Sequence, residues 1–136
     1  MSTLQAATLA VRAGIDSDTA FGAVVPPIVL SSNFSFVGFN EKRKYDYTRS
    51  GNPTRDLLAE ALSDLEGGVG AVITATGMAA ITVVLALLDP EDTIVVPHDC
   101  YGGSWRLFNA LAKKNHFKLI TADLTDPREL ATALAS

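Results

Sequence analysis

The sequence predicts an α/β fold built around a mainly parallel sheet, and three observations carry that expectation. From Pro53 onward, apolar segments alternate between helix-like and strand-like periods in the order α-β-α-β-α-β-α. The stretch Gly70–Leu88, GAVITATGMAAITVVLALL, passes from a short β-branched segment through Gly77 into an apolar segment of helix length. Phe21–Arg55, by contrast, has no period and is rich in proline, glycine and aromatic residues.

In chain order, Leu4, Ala7, Leu9 and Val11 suggest a short helix within residues 1–20. The aperiodic stretch that follows carries Phe34, Phe36, Phe39, Tyr45 and Tyr47 with no regular element to bury them. An arm packed on another subunit would solve that. A helix then opens at Asn52, a good N-cap, with Pro53 in its first position. Leu57, Leu58, Ala61, Leu62 and Leu65 share one face of it; Asp56, Glu60, Ser63 and Asp64 share the other. Gly67-Gly68 ends it. A strand over 71–75 and a buried helix over 78–88 come next. Asp89-Pro90-Glu91-Asp92 is a turn. Thr93–Val96 is a strand closed by Pro97, and a helix over 103–114 turns Trp105, Leu107, Phe108 and Leu111 inward. Lys113 and Lys114 suit its last turn, and Asn115 can cap it. Phe117–Ala122 is a third strand. Asp126-Pro127 opens a last helix, which reaches Ser136 without a stop signal, so the chain reads as cut.

Composition narrows the function. With 48% hydrophobic and 19% charged residues the chain is globular. A net charge of −4, with Lys42-Arg43-Lys44 as the one basic run, argues against nucleic acid. The single cysteine, Cys100, allows no internal disulfide. No apolar run reaches the roughly 18 residues of a membrane span, and no signal-like start is present. A cytoplasmic protein without membrane partners is the expectation.

Chemistry is suggested first by Thr74-Ala75-Thr76-Gly77. A helix entered through such a turn aims free N–H groups and the positive end of its dipole into it. That is either a phosphate site, with Thr76 adding a hydroxyl, or a plain strand–helix turn. No G-x-x-x-x-G-K-[ST] occurs, and Gly67-Gly68-Val69-Gly70 precedes the strand where a dinucleotide fingerprint would follow it. His98-Asp99-Cys100 offers too few ligands for a metal, so no metal site is expected, and Cys100 reads as a half-buried thiol.

Whole strings say more. Val25-Pro26-Pro27-Ile28, Tyr45-Asp46-Tyr47-Thr48-Arg49-Ser50-Gly51-Asn52-Pro53-Thr54-Arg55, Leu65-Glu66-Gly67-Gly68, Thr76-Gly77-Met78-Ala79-Ala80 and His98-Asp99-Cys100-Tyr101-Gly102-Gly103-Ser104 occur in this order. Together they resemble the transsulfuration family of pyridoxal-phosphate enzymes. The resemblance implies pyridoxal 5'-phosphate as cofactor and amino-acid substrates. It also implies the first part of a fold-type-I, aspartate-aminotransferase-like large domain, with residues 1–55 as an N-terminal arm and lead-in and 56–136 as the incomplete large domain. It further implies a homotetramer, a dimer of dimers, whose arm reaches a neighbouring active site. Gly77 and Met78 match the positions whose N–H groups hold the phosphate. Tyr47 and Arg49 match the pair that reaches it from a neighbouring subunit. Tyr101 matches the tyrosine that stacks on the pyridine ring and assists proton transfer. Asp46 and Arg106 match substrate-contacting positions, although Arg106 also reads as a solvated helix charge.

The string Tyr101–Phe108 looks most like the family's γ-replacing members. In these, cysteine displaces the acyl group of an O-acylated homoserine to give cystathionine, in methionine biosynthesis. The rivals are γ-elimination, direct sulfhydrylation, and a non-catalytic truncated remnant. One departure stands out. The family links its cofactor to a lysine after Ser-x-[ST], and none of Lys42, Lys44, Lys113, Lys114 or Lys118 follows such a motif. The 136 residues alone are therefore expected to be inactive. For the sheet, adjacency in sequence would pair 71–75 with 93–96. The resemblance implies instead that 93–96 pairs with 117–122 and that 71–75 lies apart.

Overall fold

The computed structural model describes residues 4–135. Its elements are α1 (Ala6–Arg12), α2 (Pro53–Glu66), α3 (Gly77–Leu85), β1 (Thr93–Pro97), α4 (Gly102–Ala112), β2 (Lys118–Ala122) and α5 (Pro127–Leu134). They fall into two compact units that divide between Ile73 and Thr74.

In the first unit α1 packs on α2. The ends of α2 follow from its local chemistry. Asn52 Oδ1 accepts from the Thr54 N–H at 2.9 Å, Pro53 stands in the first turn, and Gly67 takes the left-handed conformation at φ 67°. The intervening chain is irregular and carries two isolated antiparallel bridges, Asn33–Tyr47 and Gly38–Glu41. Among the described residues this unit fully buries no apolar side chain; its buried residues are Asn52 and Ser63.

The second unit has a conventional core. β1 and β2 pair in parallel from Thr93–Lys118 to Pro97–Ala122, with α4 as the crossover. Leu85 from α3, Val96 from β1, Phe108 from α4 and Phe117 ahead of β2 form the buried cluster, and Phe117 is the most enclosed at 2% exposure. The Asp89–Asp92 turn feeds β1, with the Asp92 N–H donating to Asp89 O at 2.9 Å. Asn115 closes the turn after α4 at φ 58°, a conformation asparagine tolerates.

Four expectations need correction. Residues 71–75 form no strand: among the described residues the one sheet joins β1 and β2, and a segment without a ladder partner has nothing to fix it as β. This agrees with the pairing the family resemblance implies. The helix expected at 78–88 runs Gly77–Leu85 and is not buried all round. Ile81, Leu85 and Leu88 meet the core on one stripe, while Val83, Val84 and Leu87 are exposed. An apolar pattern on every face needs cover on every face, and these elements supply it on one. Trp105, expected inward, is 40% exposed, because Phe108 and Ser104 take the buried face of α4. β2 begins at Lys118, one residue late, with Phe117 already committed to the core.

Candidate functional site

The sequence-derived candidates separate into two groups, one in each unit. In the second unit α3 opens on Thr76, whose Oγ1 accepts from the Ala79 N–H at 3.1 Å and whose carbonyl accepts from Ala80 at 3.1 Å. The N–H groups of Gly77 and Met78 are left with no hydrogen-bond partner among the described residues. Two adjacent free donors at the positive end of a helix suit an anion. Gly77 faces open space, since a Cβ there would meet nothing within 4 Å. The Thr76 hydroxyl, expected to turn to a phosphate, is first of all the helix cap, which leaves only its proton to donate.

The first turn of α4 lies against that of α3, with Ser104 Oγ donating to Met78 Sδ at 4.0 Å. Tyr101, just ahead of α4, is 74% exposed. Its ring rests on Gly103, where a Cβ would come within 2.5 Å of Tyr101 Cε1. Arg106 is exposed one turn on, its Nη1 within 3.7 Å of where a Cβ on Gly102 would stand. Tyr101, Gly102 and Arg106 thus share the end of α4 that follows the carboxyl end of β1. That is where parallel α/β sheets place their ligands.

In the first unit Asp46, Tyr47 and Arg49 share one loop. The Arg49 guanidinium lies 5.0 Å from the centroid of the half-exposed Tyr47 ring. Asp46 Oδ1 accepts from Ser50 Oγ at 2.9 Å and from the Tyr47 N–H at 2.8 Å, and Oδ2 lies 4.0 Å from Lys42 Nζ. The Ser50 hydroxyl first, and then the Tyr47 N–H, hold the Asp46 carboxyl below its ordinary value. Two residues escaped the sequence reading. Asn52, expected only as a cap, also donates from Nδ2 to Thr48 Oγ1 at 2.8 Å and to Val29 O at 3.2 Å. Arg55, given no role, donates to Thr48 O at 2.9 Å and Arg49 O at 3.3 Å. Neither contact has a periodic signature; the nearest hint is positional, a cation three residues past a cap and within reach of the loop that the cap ends.

Among the described residues no three His, Cys, Asp or Glu side chains gather as a metal site requires, and no helix is long and apolar enough to cross a membrane. The sequence model of the Cys/Met metabolism PLP-dependent enzymes matches residues 7–136. The chain belongs to this family. Over 134 residues it is 54% identical to cystathionine gamma-synthase of Escherichia coli (strain K12), covering 98% of this chain and 35% of that one. It is 37% identical over 126 residues to a cystathionine beta-lyase of Lactococcus lactis subsp. cremoris, covering 93% of this chain and 33% of that one. Among solved structures it resembles cystathionine gamma synthase from Xanthomonas oryzae pv. oryzae in complex with cystathionine. There the TM-score is 0.92 and the identity 76%, over 98% of this chain and 35% of that one. The α/β fold is therefore part of a fold-type-I PLP-dependent enzyme, and the chain spans about a third of the length of these relatives.

Proposed function

We propose that these residues form part of a pyridoxal-phosphate enzyme catalysing γ-replacement. The thiol of cysteine displaces the acyloxy group of an O-acylated homoserine: the bond from the γ-carbon to oxygen breaks, a bond from the γ-carbon to sulfur forms, the acyl group leaves as its carboxylate, the thiol proton is released, and cystathionine results. The observation that carries this reading is the 76% identity, over 98% of this chain, to a synthase captured with cystathionine. Identity to a β-lyase is half as high, at 37%. The family reading also supports methionine biosynthesis in the cytoplasm as the setting.

The residues present fit the cofactor's phosphate. The free N–H groups of Gly77 and Met78 bind its oxygens, and Arg49 with Tyr47 adds a guanidinium fork and a phenol donor. We place the latter pair in the site of a neighbouring subunit of a homotetramer. When bound, pyridoxal phosphate supplies the electron sink that loosens bonds at the substrate's α- and β-carbons. Tyr101 would stack on the cofactor ring, and its phenol oxygen would hold or pass on a proton there. Asp46, kept ionised, receives a substrate ammonium, and Arg106 receives a carboxylate.

The test uses the full-length protein with O-acylhomoserine and cysteine. Cystathionine is the expected product. Release of a 2-oxo acid and ammonia at the same rate without cysteine would assign γ-elimination instead. Arg49→Ala is expected to weaken cofactor binding by a charge-assisted contact worth about 1.5–3 kcal/mol, roughly tenfold to a hundredfold.

A further inference from the structure

Arg49 is weakly tethered for a residue whose placement matters. Among the described residues its N–H has no hydrogen-bond partner, and its carbonyl has one, the Arg55 guanidinium at 3.3 Å. Its neighbours are better fixed. The Asn33–Tyr47 bridge holds the incoming side of the loop, with the Phe34 N–H donating to Asp46 O and the Thr48 N–H to Ser32 O, both at 2.9 Å. Past Thr48 the bridge ends, and the Ser50 and Gly51 N–H groups turn back to Tyr47 O at 3.0 and 3.1 Å, leaving the carbonyls of Thr48 and Arg49 to side chains. There the second arm of the Arg55 fork takes Thr48 O at 2.9 Å, and Asn52 takes the Thr48 hydroxyl. Arg55 itself is half-buried, and no carboxylate pairs with it among the described residues. A guanidinium without an ion pair is explained by its geometry: a planar fork spans two consecutive carbonyls, which a lysine ammonium cannot do. α2, from whose first turn Arg55 extends, is capped and regular, so the fork carries the rigidity of a helix start into the loop.

We propose that Arg55 is a positioning residue that fixes the Thr48–Arg49 backbone and so presents the Arg49 side chain to the cofactor phosphate. The functional half rests on the reading of Arg49 given above; the clamp itself does not. Losing it frees one loop and one long side chain, which must then be ordered on binding, at roughly threefold to tenfold in cofactor affinity.

The experiment uses the full-length protein with Arg55→Met, Arg55→Lys, Arg49→Ala and the Arg49→Ala/Arg55→Met double variant. Amide hydrogen exchange over residues 47–51 tests the clamp, and titration of the apoprotein with pyridoxal phosphate, followed by absorbance, tests its consequence. Faster exchange at Thr48, Ser50 and Gly51 in Arg55→Met is expected, with Arg55→Lys intermediate because it reaches one carbonyl. Cofactor affinity should fall in Arg55→Met but no further in the double variant than in Arg49→Ala. Unchanged exchange in both Arg55 variants overturns the clamp. Additive losses in the double variant overturn action through Arg49 and leave Arg55 a general stabiliser of α2. If Arg49→Ala alone leaves cofactor affinity intact while Arg55→Met speeds exchange, the phosphate reading of Arg49 falls and the functional half with it, and the clamp stands. Arg55→Lys keeps the test decisive if Arg55→Met fails to fold.

Discussion

The two units of this chain are held together by different physics. In the second, four apolar side chains from α3, β1, α4 and the approach to β2 meet in one buried cluster. In the first, the best-buried residue of the loop region is Asn52, 8% exposed, whose side chain joins Thr54, Thr48 and Val29. Apolar burial is non-directional and tolerates small shifts; a hydrogen-bonded knot fixes angles and fails when one member is lost. The candidate residues follow that division. Gly77, Met78, Tyr101 and Arg106 stand at helix starts braced by a core, whereas Asp46, Tyr47 and Arg49 stand on a loop braced by polar contacts.

The strongest way to break the comparison is Phe117→Ala. Removing the most enclosed aromatic of the second unit is expected to cost about 3–5 kcal/mol, read from the shift of the urea midpoint. A cost below about 1 kcal/mol would mean that the cluster is not the unit's core. Next is a matched pair of caps. Asn52 and Asp126 each cap a helix, but Asp126 is exposed and caps only the Arg128 N–H, at 2.8 Å. Asp126→Ala is expected to cost about 1 kcal/mol, the ordinary value of a cap. Asn52→Ala also strands a carbonyl and a hydroxyl and is expected to cost about 2–3 kcal/mol. Equal costs would deny the first unit its knot. Smaller still is Gly103→Ala. Alanine suits a helix, so stability should stay within about 1 kcal/mol, but the Tyr101 ring must leave its seat on residue 103. In the full-length protein, reduced turnover with an unchanged melting temperature is the expected result; unchanged turnover would detach Tyr101 from catalysis.

How much of this was legible in the sequence depended on the range of the interaction. The ends of α2 were readable because Asn52, Pro53 and Gly67 act on their own backbone neighbours. The identities of β1 and β2 were readable from period, but their pairing was not, since adjacency favoured 71–75 as the partner of β1 and only the resemblance indicated otherwise. The cover on α3 was illegible: a helix that is apolar all round gives no sign of which stripe its own chain will bury. In the candidate site, although the strand expected ahead of the turn does not form, the free donors at Gly77 and Met78 followed from the turn into a helix. The grip of Arg55 on carbonyls six and seven residues back did not, because a side chain bonding to backbone at that distance leaves no periodic trace.

The least disruptive prediction concerns a feature the two units share. Asp46 in the first and Asp123 in the second each gather a hydroxyl and an N–H on Oδ1: Ser50 and Tyr47 for Asp46, and Thr125 for both on Asp123, at 2.6 and 2.8 Å. Both carboxyls are held below their ordinary value of 3.8, chiefly by the hydroxyl contact, with smaller help from Lys42 at Asp46 and from His98 at Asp123. A lowered carboxyl favours the folded state above its unfolded value, and that contribution fades as pH falls through the folded value. The loss therefore lies below pH 3.8, in either unit. Asp46→Asn and Asp123→Asn keep an oxygen acceptor and remove the charge. Each should flatten the acid limb of a melting-temperature profile by a similar, small amount. Carboxyl-carbon NMR titrations should find both groups below their ordinary value. Titration of either at that value would show that its turn is not formed in solution. An acid limb altered by only one variant would show that the charged neighbour, rather than the turn, sets the shift, and the two units would then differ in electrostatics as they do in packing.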